Sequence, residues 1–289
     1  MKYGFIVEHK KTWPVTVQCR VLEVNRMSYY HYQRRLQQPD PQHGDMLAAV
    51  KQLAQASDFT YGSRRMKKAL GALSYVVSRQ QARQLMREAG VEVRFKKRFK
   101  VTTDSDHSQP VFDNVLNRQF TVAHPDQVYV SDITYLWTRE GWLYLAVVID
   151  LCSRAIVGWS MRSRMTAPLV CDALLMAIWR RQPAAGLIHH SDRGSQYASH
   201  AFRKLLKDYQ FTGSMSRKGN CWDNAVAESF FGSLKQERVQ WRNYQTRHAA
   251  HQDVLNYIVY YNSQRLHSTL NYVSPNQYEL QIAKLKKAA

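Results

Sequence analysis

From Gln127 onward the chain sets short runs of β-branched and aromatic residues between turn-forming separators, whereas the first hundred residues follow helical spacing. Val128–Trp137 (VYVSDITYLW), Trp142–Ile149 (WLYLAVVI) and Ala155–Met161 (AIVGWSM) read as three strands. Their connectors, Arg139-Glu140-Gly141 and Asp150–Arg154, are short enough for hairpins, so the three strands are predicted to be antiparallel neighbours. A helix over Ala167–Arg180 follows, with Leu169, Ala173, Met176 and Ala177 facing inward. Next come a short apolar run Gly186–His190, a helix Ala198–Tyr209, a short strand Phe211–Ser216 and a helix Asp223–Arg238. The order β-β-β-α-β-α-β-α predicts an α/β fold built on a mixed sheet. A long helix Thr246–Asn262 and a short basic tail close the chain.

The N-terminal region has another texture. Val15–Glu23 carries Val15, Cys19 and Leu22 at helical spacing, and Asn25–Ser28 predicts a break before Tyr29–Leu36. Asp45–Ala54, with Met46, Leu47, Val50 and Leu53 on one stripe, predicts a further helix, as do Ser63–Leu70 and Ser78–Ala89. Ser78 is the expected N-cap of the last and Gly90 its expected stop, with Gly71–Val77 as the intervening turn. Arg79, Arg83 and Arg87 line one face of that helix, which suits a helix-turn-helix module entering a DNA groove. A helical domain with a solvated basic face is the plainer alternative. Phe95–Lys100 is basic and Thr102–Pro110 is polar and turn-rich, so the expected organisation is a helical, basic DNA-binding region at 1–100, a linker at 101–125, a mixed-sheet core at 126–240 and a helical extension at 241–289.

Charge sharpens the picture. The formal net charge is +19 with a pI near 9.9, and a polyanion is the natural partner for such an excess. Between Arg64 and Lys100 there are twelve Lys and Arg against two acids, Glu88 and Glu92. Arg64, Arg65, Lys67, Lys68, Arg79, Arg83 and Arg87 are therefore the expected DNA-contacting residues. At 45% hydrophobic and 12% aromatic residues the 289-residue chain is expected to fold, and it has no apolar run long enough for a membrane span. Met1–Tyr30 does not read as a signal peptide, since Lys10, Lys11 and Arg20 interrupt it. The four cysteines (Cys19, Cys152, Cys171, Cys221) are widely spaced, which points to a reducing, cytoplasmic setting.

Acids inside a mixed sheet are the chemistry to look for. Asp132 lies mid-strand on the face of Val128 and Val130, where an unpaired carboxylate is costly and a divalent cation offsets the cost. Asp192, in the stretch HHSDRGSQY, lies just past the fourth strand, where open sheets build their sites. His189 and His190 alternate across that strand, so at most one could face the site, and a hard cation would select Asp192 over either. Glu228 falls inside the last helix of the set, sharing a face with Asn224 one turn before it and Lys235 seven residues after it. Three carboxylates without histidine or cysteine suit Mg²⁺ or Mn²⁺, and two such ions can activate an attacking hydroxyl and stabilise the leaving oxygen of a phosphodiester. Taken singly, each acid also fits a structural or solvated role, and a pair of them would fit a glycosidase, although +19 is an odd charge for one.

As a set, Asp132, Asp192 and Glu228 resemble the DDE triad of retroviral-integrase-like transposases, with 59 and then 35 residues between them. The surrounding text, SDITYLW, VVIDLCSRAIVGW, HSDRGSQY, NCWDNAVAESFFGSLKQE and YYNSQRLHSTLNYVSPNQY, is similar to the downstream-frame (OrfB) transposases of bacterial insertion sequences with two overlapping, frameshifted reading frames. YGSRRMKKAL and SRQQARQLMREAG resemble that family's helix-turn-helix region, so the similarity covers nearly the whole chain. The resemblance implies an RNase H-like integrase core, a five-stranded mixed sheet flanked by helices, on which the three acids converge as catalytic residues and metal ligands. It implies metal-dependent cleavage of DNA by water and strand transfer by a 3′-OH, that is, DNA recombination and integration of an insertion element.

It further implies that Lys235 contacts DNA near the cut and that Asn224 supports the Glu228 helix, with Asn262, Arg265 and His267 matching the family's tail motif. The implied partners are double-stranded DNA (element ends and target), further copies of the chain assembled on it, and an upstream-frame protein or fusion; the implied location is the bacterial cytoplasm at the nucleoid. Residues 1–126 hold one cysteine, Cys19, which excludes the His-His-Cys-Cys zinc module of retroviral integrases. A DNA-binding regulator with an inactive core and a plain metal-dependent nuclease are the alternative functions.

Overall fold

The structure, a computed structural model, describes residues 2–37, 41–94, 111–217 and 224–288. The predicted basic run at 95–100, the polar stretch 102–110 and the first residue of the predicted Asp223 helix lie outside the described residues. The chain forms two compact units, Met1–Val93 and Arg94–Ala289.

The first unit is all helical. Helices α1 (Lys2–His9), α2 (Val15–Val21) and α3 (Arg26–Gln37) bury Ile6, Cys19 and Tyr29 against one another. The sequence pattern had not predicted α1, whose apolar residues are too few to form a periodic stripe. The expected break at Asn25–Ser28 is instead a helix start. Asn25 Oδ1 accepts from the N–H groups of Met27 (2.8 Å) and Ser28 (3.2 Å), which satisfies donors that a helix N-terminus leaves open.

Helices α4 (Pro41–Ala56), α5 (Ser63–Ala72) and α6 (Arg79–Glu88) form a second group. Ser78 caps α6 as predicted: its Oγ accepts from Gln81 N–H at 3.1 Å while Gln81 Oε1 accepts from Ser78 N–H at 2.8 Å. Gly90 stops it at φ +68°, with Val91 N–H bonding Met86 O (2.9 Å) and Gly90 N–H bonding Arg87 O (3.1 Å). The turn between α5 and α6 differs from expectation. Gly71 lies inside α5, and Ser74 takes the positive φ of 68°.

The second unit is a five-stranded mixed sheet, as predicted. Its strands are β1 (Val128–Thr138), β2 (Gly141–Asp150), β3 (Ile156–Arg162), β4 (Ile188–Ser191) and β5 (Thr212–Met215), in spatial order β3-β2-β1-β4-β5. The first three are antiparallel neighbours, and β4 and β5 continue the sheet in parallel. The turn after β2 is held by Asp150, whose carboxylate accepts from Ser153 N–H and Oγ–H (2.7 and 2.8 Å) and from Asp126 N–H (2.7 Å). The period-2 alternation of β1 and β2 serves two layers at once. Val130, Leu145, Val147 and Ile149 pack under α10 (Ala225–Glu237) and α11 (Arg247–Ser263), while Tyr129, Ala146 and Val148 pack under α7 (Ala167–Arg181) and α9 (His200–Asp208).

Two helices complete this unit. A short α8 (Ser195–Ala198) precedes α9, and the predicted basic tail is the helix α12 (Pro275–Ala288). Arg181 ties α12 to the core, bonding Glu279 at 2.9 Å and Asp126 at 2.8 Å. Within the predicted linker, residues 111–125 are described and packed: Leu116 is buried, and the N–H groups of Val115 and Leu116 donate to Ser214 Oγ. Among the described residues no helix is long and apolar enough to cross a membrane.

Candidate active site

The site begins with register. Strands β1 and β4 run parallel over four rungs, the last of which pairs Ser131 with Ser191. Asp132 and Asp192 are therefore the residues that follow the final rung on adjacent strands, at the carboxyl end of the parallel pair. Neighbouring strands lie about 4.8 Å apart, so backbone pairing alone brings two residues with 59 others between them side by side. Helix α10 reaches the same rung: Asn224, at its N-cap, is buried and donates from Nδ2 to Ser131 O at 3.5 Å. Glu228 follows one turn later on the exposed side of α10, while Ala227, Phe230, Phe231 and Leu234 anchor its other side in the core.

The electrostatics agree with this placement. The Asp132 carboxyl is pushed well above the usual range, first by burial and then by the negative charges of Asp192 and Glu228; a bond from Ile133 N–H (2.7 Å) and the charge of Lys235 oppose the shift. Partial burial also raises Glu228. Asp132 is thus the acid that feels both of the others. The three do not close around a single ion: among the described residues no group of three His, Cys, Asp or Glu is tight enough to hold a metal. All three are nevertheless oxygen donors, and the charges of Asp192 and Glu228 both act on Asp132, which fits hard divalent cations held between pairs of carboxylates.

Around the acids lies a buried polar layer. His189 and His190 are both buried. His189 Nε2 pairs with Ser131 Oγ at 2.8 Å, and burial lowers its pKa to about 3. Ser214 Oγ already accepts two N–H bonds, so its hydroxyl donates to His190 Nδ1 (2.9 Å), leaving Nε2–H to face Ser216 Oγ at 3.3 Å. Asp192 turns the chain by accepting Gly194 N–H at 3.0 Å. Gly194 has φ −59°, so its value is not conformational freedom; a Cβ there would lie 3.0 Å from Asp192 Oδ1. Tyr197, which sequence reasoning missed, is buried with no hydrogen-bond partner for its hydroxyl, and Asp132 and Asp192 both add to the upward shift that burial imposes on it. Its sequence signal is only an aromatic residue five positions after Asp192.

Lys235 lies 5.1 Å over the Tyr135 ring, with its pKa lowered by burial and the charge of Asp132 acting against that shift. The tail residues sit elsewhere in the unit. Asn262 clamps β3, accepting from Ile156 N–H and donating to Ile156 O, both at 2.9 Å. Arg265 is buried and bidentate with Glu237 (2.6 and 2.7 Å), while His267 pairs with Thr269 Oγ1 at 2.7 Å. In the helical unit Arg64, Lys67, Lys68, Arg79, Arg83 and Arg87 are exposed, whereas Arg65 lies 5.7 Å over the Tyr61 ring. Met66, Ala69 and Leu70 of α5 and Ala82, Leu85 and Met86 of α6 face inward.

Comparisons with known proteins agree with this architecture. Integrase core domain models match residues 122–221 and 228–282, and an HTH-like domain model matches residues 42–99. The transposase InsF for insertion sequence IS3A of Escherichia coli (strain K12) is 42% identical over 287 residues, covering 96% of this chain and 98% of that protein. An insertion element IS600 uncharacterized 31 kDa protein of Shigella sonnei is 40% identical, covering 89% and 95%. Among solved structures, the chain is similar to the simian T-cell lymphotropic virus intasome in complex with PP2A regulatory subunit B56 gamma (TM-score 0.47, 16% identity, 70% of this chain and 67% of that one). It is also similar to the HTLV-2 integrase catalytic core domain in complex with magnesium (TM-score 0.44, 16% identity, 54% and 97%). The chain belongs to the insertion-sequence transposases with an integrase core domain, a family of polynucleotidyl transferases.

Proposed function

We propose that Asp132, Asp192 and Glu228 are the catalytic carboxylates of DNA strand cleavage and strand transfer for an insertion element. The observation that carries this reading is that Asp132 and Asp192 follow the last paired rung of adjacent parallel strands, with the α10 cap bonded to that same rung. When bound at these carboxylates, two divalent cations, Mg²⁺ or Mn²⁺, supply a lowered pKa for the attacking hydroxyl and charge stabilisation for the leaving oxygen. Asp132, on which the charges of both other acids act, would hold the ions together with Asp192 and Glu228. Lys235 holds a phosphate of the substrate beside Asp132. Asn224 fixes the first turn of α10, and with it Glu228. Asn262, Arg265 and His267 act by holding the scaffold in place.

In cleavage, a water oxygen bonds to phosphorus as the 3′-oxygen leaves and takes up a proton. In transfer, that 3′-OH gives up its proton and bonds to a target phosphorus, and the displaced second 3′-oxygen takes up a proton. The helical region 1–100 binds double-stranded DNA through Arg64, Arg65, Lys67, Lys68, Arg79, Arg83 and Arg87, and 126–240 performs the chemistry, with 101–125 as connection and 241–289 as extension. Further copies of the chain assemble on paired element ends, an upstream-frame segment completes end recognition, and the protein acts in the bacterial cytoplasm at the nucleoid.

The test supplies Mg²⁺ and a duplex bearing the ends of the element. Wild-type protein is expected to join strands, and Asp192→Asn to abolish joining while retaining DNA binding. Binding without any metal-dependent product would replace this reading with that of a regulator, and cutting without joining with that of a nuclease.

A further inference from the structure

The β1–β2 hairpin, which bears Asp132, carries an aromatic run. Beyond its last rung with β4, β1 continues from Asp132 to Thr138 paired only with β2 inside the sheet. On this stretch Tyr135 meets Trp142 edge-to-face at 5.0 Å, and Trp142 meets Trp137 at 4.8 Å. Trp137 is 59% and Trp142 43% exposed. Two neighbouring tryptophans with this much surface in water are unusual, because each could bury most of its area in a core. In a tilted, edge-to-face arrangement the outer ring keeps one face open.

Position and charge say what fits there. The run begins at Tyr135, under Lys235, whose charge acts on Asp132. It ends at the hairpin tip beside Arg139. Arg247 adds a third cation along it, donating from Nε to Trp142 O at 3.1 Å. The one acid at the tip, Glu140, already accepts the Arg247 N–H at 2.7 Å. Aromatic faces interleaved with cations are the chemistry that binds unpaired nucleotides: phosphates pair with the cations and bases stack on the rings. Tyr135 and Trp137 alternate to the Tyr129 face of β1, opposite Asp132, and Lys235 of α10 lies over the Tyr135 ring while its charge acts on Asp132, so this cation joins the run to the carboxylates.

We propose that the Tyr135–Trp142–Trp137 run is a stacking platform for unpaired DNA bases next to the scissile phosphate. The proposal rests on the active-site reading for the position of that phosphate. The platform holds the strand end that the carboxylates act on, while the duplex is held elsewhere.

The experiment uses the full chain in EDTA, so that no strand chemistry contributes. Binding is measured to a single-stranded oligonucleotide carrying 2-aminopurine and, separately, to an unlabelled duplex. The expected result is quenching of 2-aminopurine by the wild type, and about tenfold weaker single-strand binding for Trp137→Ala/Trp142→Ala with duplex binding unchanged. Trp137→Phe/Trp142→Phe should restore most of the affinity, and circular dichroism reports whether each variant is folded. Equal single-strand affinity for the wild type and a folded Ala variant would overturn the proposal. So would a wild-type oligomer that dissociates in the Ala variant with no change in DNA binding, which would make the patch a contact between copies. If Mg²⁺-dependent joining is absent but the single-strand result holds, the catalytic reading fails and the platform stands.

Discussion

Acid should destabilise this protein through one buried residue, His189. In the folded chain its pKa is lowered to about 3 from an ordinary value of 6.5, because the cation would have to form in the core. Below pH 6.5 the unfolded chain takes up a proton that the folded chain refuses until about pH 3, so the stability present above 6.5 is lost as pH falls through this window. Each pKa unit corresponds to about 1.4 kcal/mol, so the full window holds about 5 kcal/mol, of which about 3 is lost between pH 6.5 and 4. Other groups titrate in the same range with the opposite sign. Asp132 and Asp150 have raised pKa values, so the folded state binds their protons more readily and gains stability as pH falls. A difference measurement removes them. Urea unfolding of the wild type and His189→Gln at pH steps from 7 to 4 should show the gap between their stabilities closing or reversing by about 3 kcal/mol in favour of the variant. Gln keeps a polar partner for Ser131 Oγ, which His189 bonds at 2.8 Å, but does not titrate. Parallel pH profiles for the two proteins would refute the reasoning and place the His189 proton within reach of solvent.

Three further outcomes follow from the same structure. Asp132→Asn should raise the thermal midpoint in EDTA, since it removes a charge that burial and two neighbouring acids disfavour at neutral pH; Mg²⁺ should then stabilise the wild type more than the variant, and scanning calorimetry reads both. Gly158→Ala should destabilise by about 3 kcal/mol or more in urea unfolding, because its Cβ would lie 2.1 Å from the Ala173 carbonyl oxygen and force β3 away from α7. Arg265→Met strands the buried Glu237 carboxylate and should lower stability by about 3–5 kcal/mol, with Glu237→Leu in the same chain recovering part of the loss.

Much of this was legible in the residues. The switch from 3.6-residue to 2-residue periodicity near Gln127 separated the helical region from the sheet, since each period is dictated by which faces meet a core. The hairpin connectors determined that β1, β2 and β3 are antiparallel, and Ser78 and Gly90 marked the ends of α6 because capping is local chemistry. An acid in mid-strand was itself a signal, as charge inside a sheet requires a compensating group. What the sequence could not decide depended on who stands beside whom. That Asp132 and Asp192 end neighbouring strands is set by the parallel pairing of β1 with β4, which no local pattern encodes. The two histidines of HHSDRGSQY illustrate the limit. Alternation predicted that one at most could face the site, but the sheet is covered by helices on both sides, so both faces of β4 are interior and both rings are buried. Likewise Asn262, Arg265 and Tyr197 have side chains suited equally to chemistry or to support. Only the tertiary structure, by giving the first two backbone and carboxylate partners within the scaffold and leaving the Tyr197 hydroxyl buried near Asp132 and Asp192, separates the frame of the site from its interior.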